Sequence, residues 1–208
     1  MVLNDGLRRA ERLVGPDLMD IYEKVASGTR LSREDGLRLY ETRNLSGVGF
    51  MANIVRQRMN GDRAYYIRNQ HINYTNICNK HCKFCYFAKN PKEGGPEPYL
   101  FSLDDVRQSV QRHLHVPISE VHVVGGINPK LPYEYYLDLI QVIKEIRPNV
   151  QIKAYTAVEL VEISRVAGKP LIECLEELKS VGLTSIPGGG AEVMSERLHG
   201  LLHPKKIG

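Results

Sequence analysis

Long apolar runs are absent from this chain of 208 residues. No run approaches the roughly 18 consecutive apolar residues that a bilayer-spanning helix needs. The N-terminal stretch MVLNDGLRRAERLVG also lacks the apolar core of a secretory signal. These absences argue against a membrane protein, and we expect a cytoplasmic location without a membrane partner. The composition, 42% hydrophobic and 25% charged, indicates a globular chain.

An excess of charge of one sign is absent as well. The net charge is only +4 and there is no basic tail, so we expect no nucleic-acid partner. One local imbalance remains, because no acidic residue lies between Asp62 and Glu93. The basic residues of that segment are Arg63, Arg68, Lys80, Lys83, Lys89 and Lys92. The segment is either a solvated basic face or a local field that favours anionic ligands.

Cysteine is scarce and unevenly placed. Three of the four cysteines lie in NICNKHCKFCYF, residues 76–87, and the fourth stands alone at Cys174. A secreted disulfide scaffold spreads its cysteines along the chain, so this clustering favours a metal site in a reducing compartment. Cys174 is flanked by apolar residues at helical spacing, and we expect it to be a buried structural cysteine.

The spacing Cys78-x3-Cys82-x2-Cys85 is compatible with two kinds of metal site. A structural zinc ion needs four ligands, and His81 would have to be the fourth. An iron–sulfur cube held by three cysteines has one iron without a protein ligand, and that iron is open to a small molecule.

Periodic patterns divide the chain into two parts. Residues 1–68 show helical patterns, with Ser32 and Asp35 spaced as a capping box, and we expect an N-terminal helical segment. In residues 69–208 four strand patterns, HINYTNI, SEVHVVGG, VQIKAYTA and LTSIPGGG, alternate with helical ones. This alternation predicts an α/β fold with a parallel sheet and right-handed crossovers.

The chemically unusual residues follow the predicted strands. The cysteines follow the first strand, Gly125 and Gly126 the second, Thr156 and Glu159 the third, and Gly188 to Gly190 the fourth. In a TIM-type (β/α) barrel the active site lies at this C-terminal face. Four βα units make only half of an eight-stranded barrel. We therefore expect the first half of a longer barrel, the alternative being that another molecule supplies the rest.

The cysteine loop carries an aromatic residue, Phe84, just before its last cysteine. In its position after the first strand it resembles the signature of the radical S-adenosylmethionine (radical SAM) enzymes. The resemblance implies a TIM-type radical SAM barrel with a [4Fe–4S] cluster on Cys78, Cys82 and Cys85. It also implies that S-adenosylmethionine binds the open iron, and that an external electron donor such as flavodoxin or ferredoxin supplies the electron for its cleavage.

The same resemblance assigns residues to the S-adenosylmethionine site. Gly125 and Gly126 match a Gly-Gly-Glu-like segment whose backbone carbonyls receive the methionine amino group, and Ile127 replaces the acidic residue. Phe84 and Glu192 are further candidates for cofactor binding, with Glu192 as a partner for a ribose hydroxyl. For Glu192 the alternative is a first-turn carboxylate that only stabilises a helix dipole.

Longer stretches resemble one branch of these enzymes. The segments HINYTNICNKHCKFCYFAKNP, VHVVGGINP, IKAYTAVEL and SIPGGGAEV are together similar to the aminodeoxyfutalosine synthase family of menaquinone biosynthesis. This similarity implies a transferase that adds a 5′-deoxyadenosyl radical to 3-[(1-carboxyvinyl)oxy]benzoate. The product is 6-amino-6-deoxyfutalosine, and S-adenosylmethionine is consumed as a substrate.

Four alternatives to the synthase remain. The dehypoxanthine futalosine cyclases and the deazaflavin cofactor synthases carry similar loops, although the segment AYTAVE favours the synthase. The chain could also be a fragment that binds a cluster without turnover. A zinc-binding structural protein is the alternative outside the radical SAM enzymes.

A small-molecule substrate with two carboxylates needs cationic or hydrogen-bonding partners. His71, Asn73 and Thr75 share one face of the first strand by the two-residue period, and we expect them to bind the substrate. Thr156 and Glu159, after the third strand, are the expected catalytic residues. For each of these residues the alternative is a polar side chain that satisfies the backbone of the barrel.

Overall fold

The computed structural model describes residue 10 and residues 12–89, 97–189 and 192–207. The chain divides into two compact units, Met1–Tyr66 and Ile67–Gly208. Each unit has a hydrophobic core of its own. As folding domains, the segments 1–68 and 69–208 remain a prediction.

Helices form the first unit. A 3₁₀ turn at Pro16–Leu18 leads into α1 (Met19–Ser27), which is followed by α2 (Arg33–Glu41) and α3 (Leu45–Asn60). α1 ends at Gly28, whose φ of 81° lies in the left-handed region that glycine adopts without a steric penalty. The buried apolar side chains of this unit are Ala10, Val14, Leu18, Ile21, Val25 and Met51.

The predicted capping box at the start of α2 is confirmed. The Ser32 hydroxyl accepts the N–H of Asp35 at 3.1 Å, and the Asp35 carboxylate accepts the N–H of Ser32 at 2.8 Å. Lys24 of α1 also donates to both carboxylate oxygens of Asp35, at 2.9 and 2.8 Å. One buried carboxylate therefore caps α2 and joins it to α1.

Replacing Asp35 by asparagine should make the stability of the chain less sensitive to acid. The hydrogen bonds from Lys24 and Ser32 hold the pKa of Asp35 below its ordinary value of 3.8. A lowered folded-state pKa contributes stability that is present above the unfolded-state pKa and lost as the pH falls through the folded-state pKa. Between about pH 7 and about pH 3, the urea midpoint of the wild type should therefore decrease more than that of Asp35→Asn.

Glu34→Gln is the matched control, because Glu34 lies in the same helical turn and is exposed. It should behave like the wild type. Equal midpoint decreases for the wild type and Asp35→Asn would contradict the prediction.

A three-stranded parallel sheet organises the second unit. The strands β1 (Asn69–Asn73), β2 (Glu120–Val124) and β3 (Gln151–Ala154) lie in the order β1-β2-β3. The register places His71 opposite His122, and all three C-terminal ends lie at the same edge of the sheet. The predicted α/β fold with a parallel sheet is confirmed.

The two faces of this sheet differ in chemistry, because successive side chains of a strand alternate between them. One face buries Ile72, Val121, Val123, Ile152 and Ala154 in the hydrophobic core of the unit. The other face, termed the polar face below, carries Asn69, His71, Asn73, Glu120, His122, Gln151 and Lys153.

Helices follow each strand of the second unit. They are α4 (Leu103–Arg112), α5 (Tyr133–Ile146), α6 (Ala157–Ala167), α7 (Leu171–Ser180) and α8 (Glu196–Leu202). α4 and α6 each begin with a capping box. Cys174 of α7 is fully buried in the core and makes no disulfide, as predicted for a structural cysteine. None of the described helices is long and apolar enough to span a bilayer.

The fourth predicted strand forms no ladder in the described part of the chain. Ser185 makes a single parallel bridge to Lys153, and the N–H groups of Thr184 and Ser185 both donate to the carbonyl of Ile152, at 2.9 and 3.1 Å. Pro187 follows and has no N–H to extend a ladder. The TIM-type barrel and its four βα units therefore stay predictions.

Candidate functional site

A cavity of about 170 Å³ opens at the edge where the parallel strands end. Its walls come from the loops after β1, β2 and β3 and from the C-terminal stretch of the chain. The lining residues are Cys78, Lys80, Cys82, Gly125, Ile127, Thr156, Val158, Gly189, Glu192 and Lys206. The predicted clustering of residues after different strands is thus observed for several of them. The predicted Gly190 lies outside the described residues.

The cysteine loop is anchored to the surrounding backbone. The N–H of Asn79 donates to the carbonyl of Ile127 at 3.0 Å, and the N–H of Lys83 donates to the carbonyl of Leu202 at 2.8 Å. Within the loop, the N–H of Cys85 donates to the carbonyl of Cys82 at 3.0 Å. The loop is therefore tied to the turn after β2 and to the end of α8.

The thiols of this loop are free and differ in exposure. Cys78 and Cys82 are half-buried, and Cys85 is exposed. Burial raises the pKa of the Cys82 thiol, while the positive charge of Lys206 acts against this increase. Cys78 and Cys85 raise the pKa of Cys82 further, because two more thiolates would repel its negative charge. Cys78 and Cys85 therefore lie close enough to Cys82 for their charges to act on its thiol.

The residue types of this loop suit an iron–sulfur cluster. Among the described residues, no group of three or more His, Cys, Asp or Glu side chains is arranged to hold one metal ion. His81 lies between two of the cysteines with a φ of 50°, but it joins no such group in the described residues. Three thiolates in one short loop are the ligand type that iron–sulfur clusters use.

Gly125 and Gly126 lie in the turn after β2. Neighbouring atoms leave no room for a side chain at either position. A Cβ on Gly125 would lie 2.7 Å from the ring of Tyr74, and a Cβ on Gly126 would lie 2.2 Å from the carbonyl oxygen of Ile77. The N–H of Gly126 also donates to the carbonyl of Thr75 at 2.8 Å. The two glycines thus let the turn after β2 touch the backbone that leads into the cysteine loop.

The predicted catalytic residues Thr156 and Glu159 form a capping box at the start of α6. Thr156 lines the cavity, whereas Glu159 is only 2% exposed. One carboxylate oxygen of Glu159 accepts from the N–H and the hydroxyl of Thr156, and the other accepts from Tyr74 and Gly125. Burial raises the pKa of Glu159, and these hydrogen bonds oppose the increase.

The predicted substrate residues occupy different surroundings. His71 and Asn73 lie on the polar face, and His71 stacks on His122 with 4.9 Å between ring centroids. Thr75 lies beyond the end of β1 and is fully buried. Its hydroxyl donates to the carbonyl of Tyr99 at 2.7 Å and accepts the N–H of Ile77 at 3.2 Å. The Thr75 hydroxyl is therefore used in hydrogen bonds to the backbone. His71 and Asn73 are accessible to a ligand.

The two remaining predicted cofactor residues also differ. Glu192 lines the cavity and forms an ion pair with Lys206. Phe84 is about half exposed and does not line the described cavity; its ring packs edge-on against His203 at 5.5 Å between centroids. The roles predicted for both residues stay predictions.

Sequence reasoning did not identify several residues of this site. Lys206 lies far along the chain from the cysteines, and Tyr74 was read only as part of a strand pattern. His122 carried a usable signal, because its position in β2 matches that of His71 in β1 when the strands are aligned in parallel. Lys80 belongs to the segment without acidic residues, whereas Val158 lines the cavity without any distinguishing pattern in the sequence.

The sequence profile of the Radical SAM superfamily matches residues 72–207, which is well over half of the chain. The chain therefore belongs to the radical SAM superfamily.

Two curated proteins are similar in sequence to most of this chain. Aminodeoxyfutalosine synthase of Thermus thermophilus is 40% identical over 192 residues, covering 92% of this chain and 51% of that protein. Cyclic dehypoxanthine futalosine synthase of Halalkalibacterium halodurans is 34% identical over 177 residues, covering 85% of this chain and 47% of that protein. The chain thus spans about half the length of the curated relatives it matches.

A solved structure supports the fold. HydG, a maturase of the [FeFe]-hydrogenase, superimposes with a TM-score of 0.70 at 17% identity. The match covers 97% of this chain and 43% of that protein. At this identity the similarity concerns the fold alone.

Substituting alanine for Gly126 should destabilise the second unit. The new Cβ would lie 2.2 Å from the Ile77 carbonyl oxygen, so the turn and the approach to the cysteine loop would have to separate. Overpacking of this kind costs about 1–3 kcal/mol, and we expect a decrease of that size in the free energy of unfolding. Gly188→Ala is the control, because no atom lies within 4 Å of its added Cβ. Equal stabilities of the two variants, measured by urea denaturation, would refute the close approach.

Proposed function

We propose that this chain supplies the cluster-binding and S-adenosylmethionine-binding part of a radical SAM transferase of the aminodeoxyfutalosine synthase type. The observation that carries the proposal is the junction of two loops at the C-terminal edge of the sheet. The loop with three free thiols is hydrogen bonded, from Asn79 to Ile127, to the turn at Gly125 and Gly126. Superfamily membership and the relatives named aminodeoxyfutalosine synthase support it.

Cys78, Cys82 and Cys85 would hold a [4Fe–4S] cluster. When bound and reduced by an external donor such as flavodoxin or ferredoxin, the cluster supplies the electron that cleaves S-adenosylmethionine to a 5′-deoxyadenosyl radical. The cysteine thiols must lose their protons to act as ligands. Lys206 favours this step, because its positive charge lowers the pKa of Cys82 against the effect of burial.

The cavity beside the cysteines offers groups suited to a zwitterionic amino acid. The carbonyls of Gly125 and Gly126 can accept from the methionine ammonium group, and Lys80 and Lys206 carry positive charge suited to its carboxylate. Glu192 can accept from a ribose hydroxyl if it releases Lys206, with which it is now paired. These are the roles that the resemblance implies for Gly125 and Gly126 and that the sequence predicts for Glu192.

The polar face of the sheet is suited to the organic substrate. His71 and Asn73 are accessible there, and the Nε2 atom of the neighbouring His122 is buried without a hydrogen-bond partner among the described residues. Burial, together with the charges of His71 and Lys153, lowers the pKa of His122. The unpartnered Nε2 atom of His122 is a candidate hydrogen-bond donor to a carboxylate of 3-[(1-carboxyvinyl)oxy]benzoate.

A second candidate function is the cyclisation of dehypoxanthine futalosine. The relative of that name at 34% identity favours it, because the similarity covers 85% of this chain, including the cysteine loop. The two reactions share the cluster and the cofactor, so only the organic substrate distinguishes them.

The direct test is an anaerobic reaction of the 208-residue chain after reconstitution with iron and sulfide. The chain is incubated with dithionite, S-adenosylmethionine and either the vinyl-ether benzoate or dehypoxanthine futalosine, and products are identified by mass spectrometry. An adenosylated, decarboxylated adduct of the benzoate supports the synthase, and a cyclised product supports the second candidate. Release of 5′-deoxyadenosine alone would indicate a cofactor-cleaving fragment, and failure to bind any cluster would refute the proposal.

Single cysteine variants test the cluster ligands. We expect Cys78→Ala, Cys82→Ala and Cys85→Ala each to lose the iron and the brown absorbance after reconstitution, because a cube with two protein ligands is held weakly. Cys174→Ala is the matched control: this cysteine is also free, but it is buried in the core. It should retain the full iron content of the wild type. Loss of iron in Cys174→Ala, or retention in a loop variant, would contradict the assignment.

A further inference from the structure

The buried carboxylate of Glu159 joins three segments that are distant in sequence. One oxygen accepts from the Tyr74 hydroxyl at 2.8 Å and from the Gly125 N–H at 2.9 Å. The other accepts from the Thr156 N–H at 2.7 Å and from the Thr156 hydroxyl at 2.8 Å. The side chain therefore connects Tyr74, which follows β1, with the turn after β2 and the start of α6.

All four partners of this carboxylate can act as donors. Two are backbone N–H groups, and two are hydroxyls. A carboxylate accepts at both oxygens, so the arrangement satisfies it completely. Burial and the nearby Glu159 raise the pKa of Tyr74 well above its ordinary value, which keeps the phenol protonated as a donor. Hydrogen bonds to a charged acceptor in such an environment are strong and directional.

The bond to Gly125 fixes the turn that faces the cysteines. The adjacent Gly126 donates to Thr75, and Ile127 accepts from Asn79 at the start of the cysteine loop. Ile127 itself is apolar and buried, so its side chain contributes no charge to the turn. The negative charge that holds Gly125 comes instead from Glu159, which lies after β3.

We propose that Glu159 is a positioning residue that holds the Gly125–Gly126 turn against the cysteine loop and so sets the site for the methionine amino group. The identity of the bound group, the methionine amino group, rests on the proposed function. The positioning of the turn by Glu159 does not depend on it. Glu159 lies outside the cavity lining and acts through its hydrogen bond from the Gly125 N–H.

Glu159→Gln tests the proposal, with Glu177→Gln as the matched control. A glutamine amide replaces one acceptor oxygen by a donor, so it cannot satisfy both donor pairs at once. Glu177 likewise accepts from a tyrosine hydroxyl and a second donor, Tyr133 and Lys169, but it lies on α7 away from the turn. The same chemical change is therefore made at two carboxylates of which only one holds Gly125.

The first measurement is amide hydrogen exchange of the full chain without cluster or cofactor. We expect faster exchange in peptides covering residues 124–128 in Glu159→Gln and no change there in Glu177→Gln. Unchanged exchange in Glu159→Gln would overturn the proposal, whatever the chain binds.

If Glu159→Gln does not fold, the same measurement is made on Tyr74→Phe. This variant keeps the ring against Gly125 and removes one donor from the same carboxylate oxygen. Faster exchange at 124–128 in Tyr74→Phe supports the proposal, and unchanged exchange overturns it.

The second measurement uses the reconstituted chain. The iron content of Glu159→Gln should equal that of the wild type, while the dissociation constant for S-adenosylmethionine should rise by roughly tenfold, as expected for loss of one charge-assisted hydrogen bond. The change that S-adenosylmethionine causes in the electron paramagnetic resonance spectrum of the reduced cluster should also be altered. Equal dissociation constants in Glu159→Gln and Glu177→Gln would overturn the role in setting the site. If the wild type binds no S-adenosylmethionine, the proposed function fails, and the exchange experiment still decides the positioning.

Discussion

The close contact between two backbone segments governs the arrangement of the site. The turn at Gly125 and Gly126 can approach Tyr74 and Ile77 only because it carries no side chain, since an added Cβ would lie 2.7 and 2.2 Å from them. The cysteine loop begins directly after Ile77, so its position follows from that contact. The hydrogen bonds from Gly126 to Thr75 and from Asn79 to Ile127 then lock the two loops together. The position of the cysteine loop relative to the turn is therefore set by backbone packing.

Local patterns were sufficient for much of the fold. The capping box at Ser32 involves neighbours three residues apart, and the strands at β1, β2 and β3 are short periodic runs, so the sequence predicts them well. The fourth strand was predicted on the same basis, but Pro187 cannot donate to a ladder and only one bridge forms in the described residues. Whether strands close into a barrel depends on partners distant in sequence, which periodicity does not report.

The site was predictable only where its chemistry is contiguous. The cysteine spacing is local, so the sequence alone is enough to predict these three residues as a ligand set. Glu159 was predicted as catalytic because a polar residue after a strand often faces a ligand, yet its carboxylate is bound by Tyr74, a residue 85 positions earlier. Lys206 was not identified for a similar reason, since only folding brings it next to Cys82. Contacts of this range are decided by the three-dimensional packing and leave no pattern in a single sequence.

The register of β1 on β2 also acts as a check on correct folding. It places His71 beside His122 on the polar face and keeps Ile72 in the apolar core. Because side chains alternate along a strand, a slip of one residue would turn Ile72 outwards and force the imidazole of His71 into the core without a partner. A shifted register therefore destabilises the sheet in two ways, because it exposes the aliphatic side chain of Ile72 and buries the polar ring of His71. Only a sheet that pairs in this register places the stacked rings of His71 and His122 on the polar face.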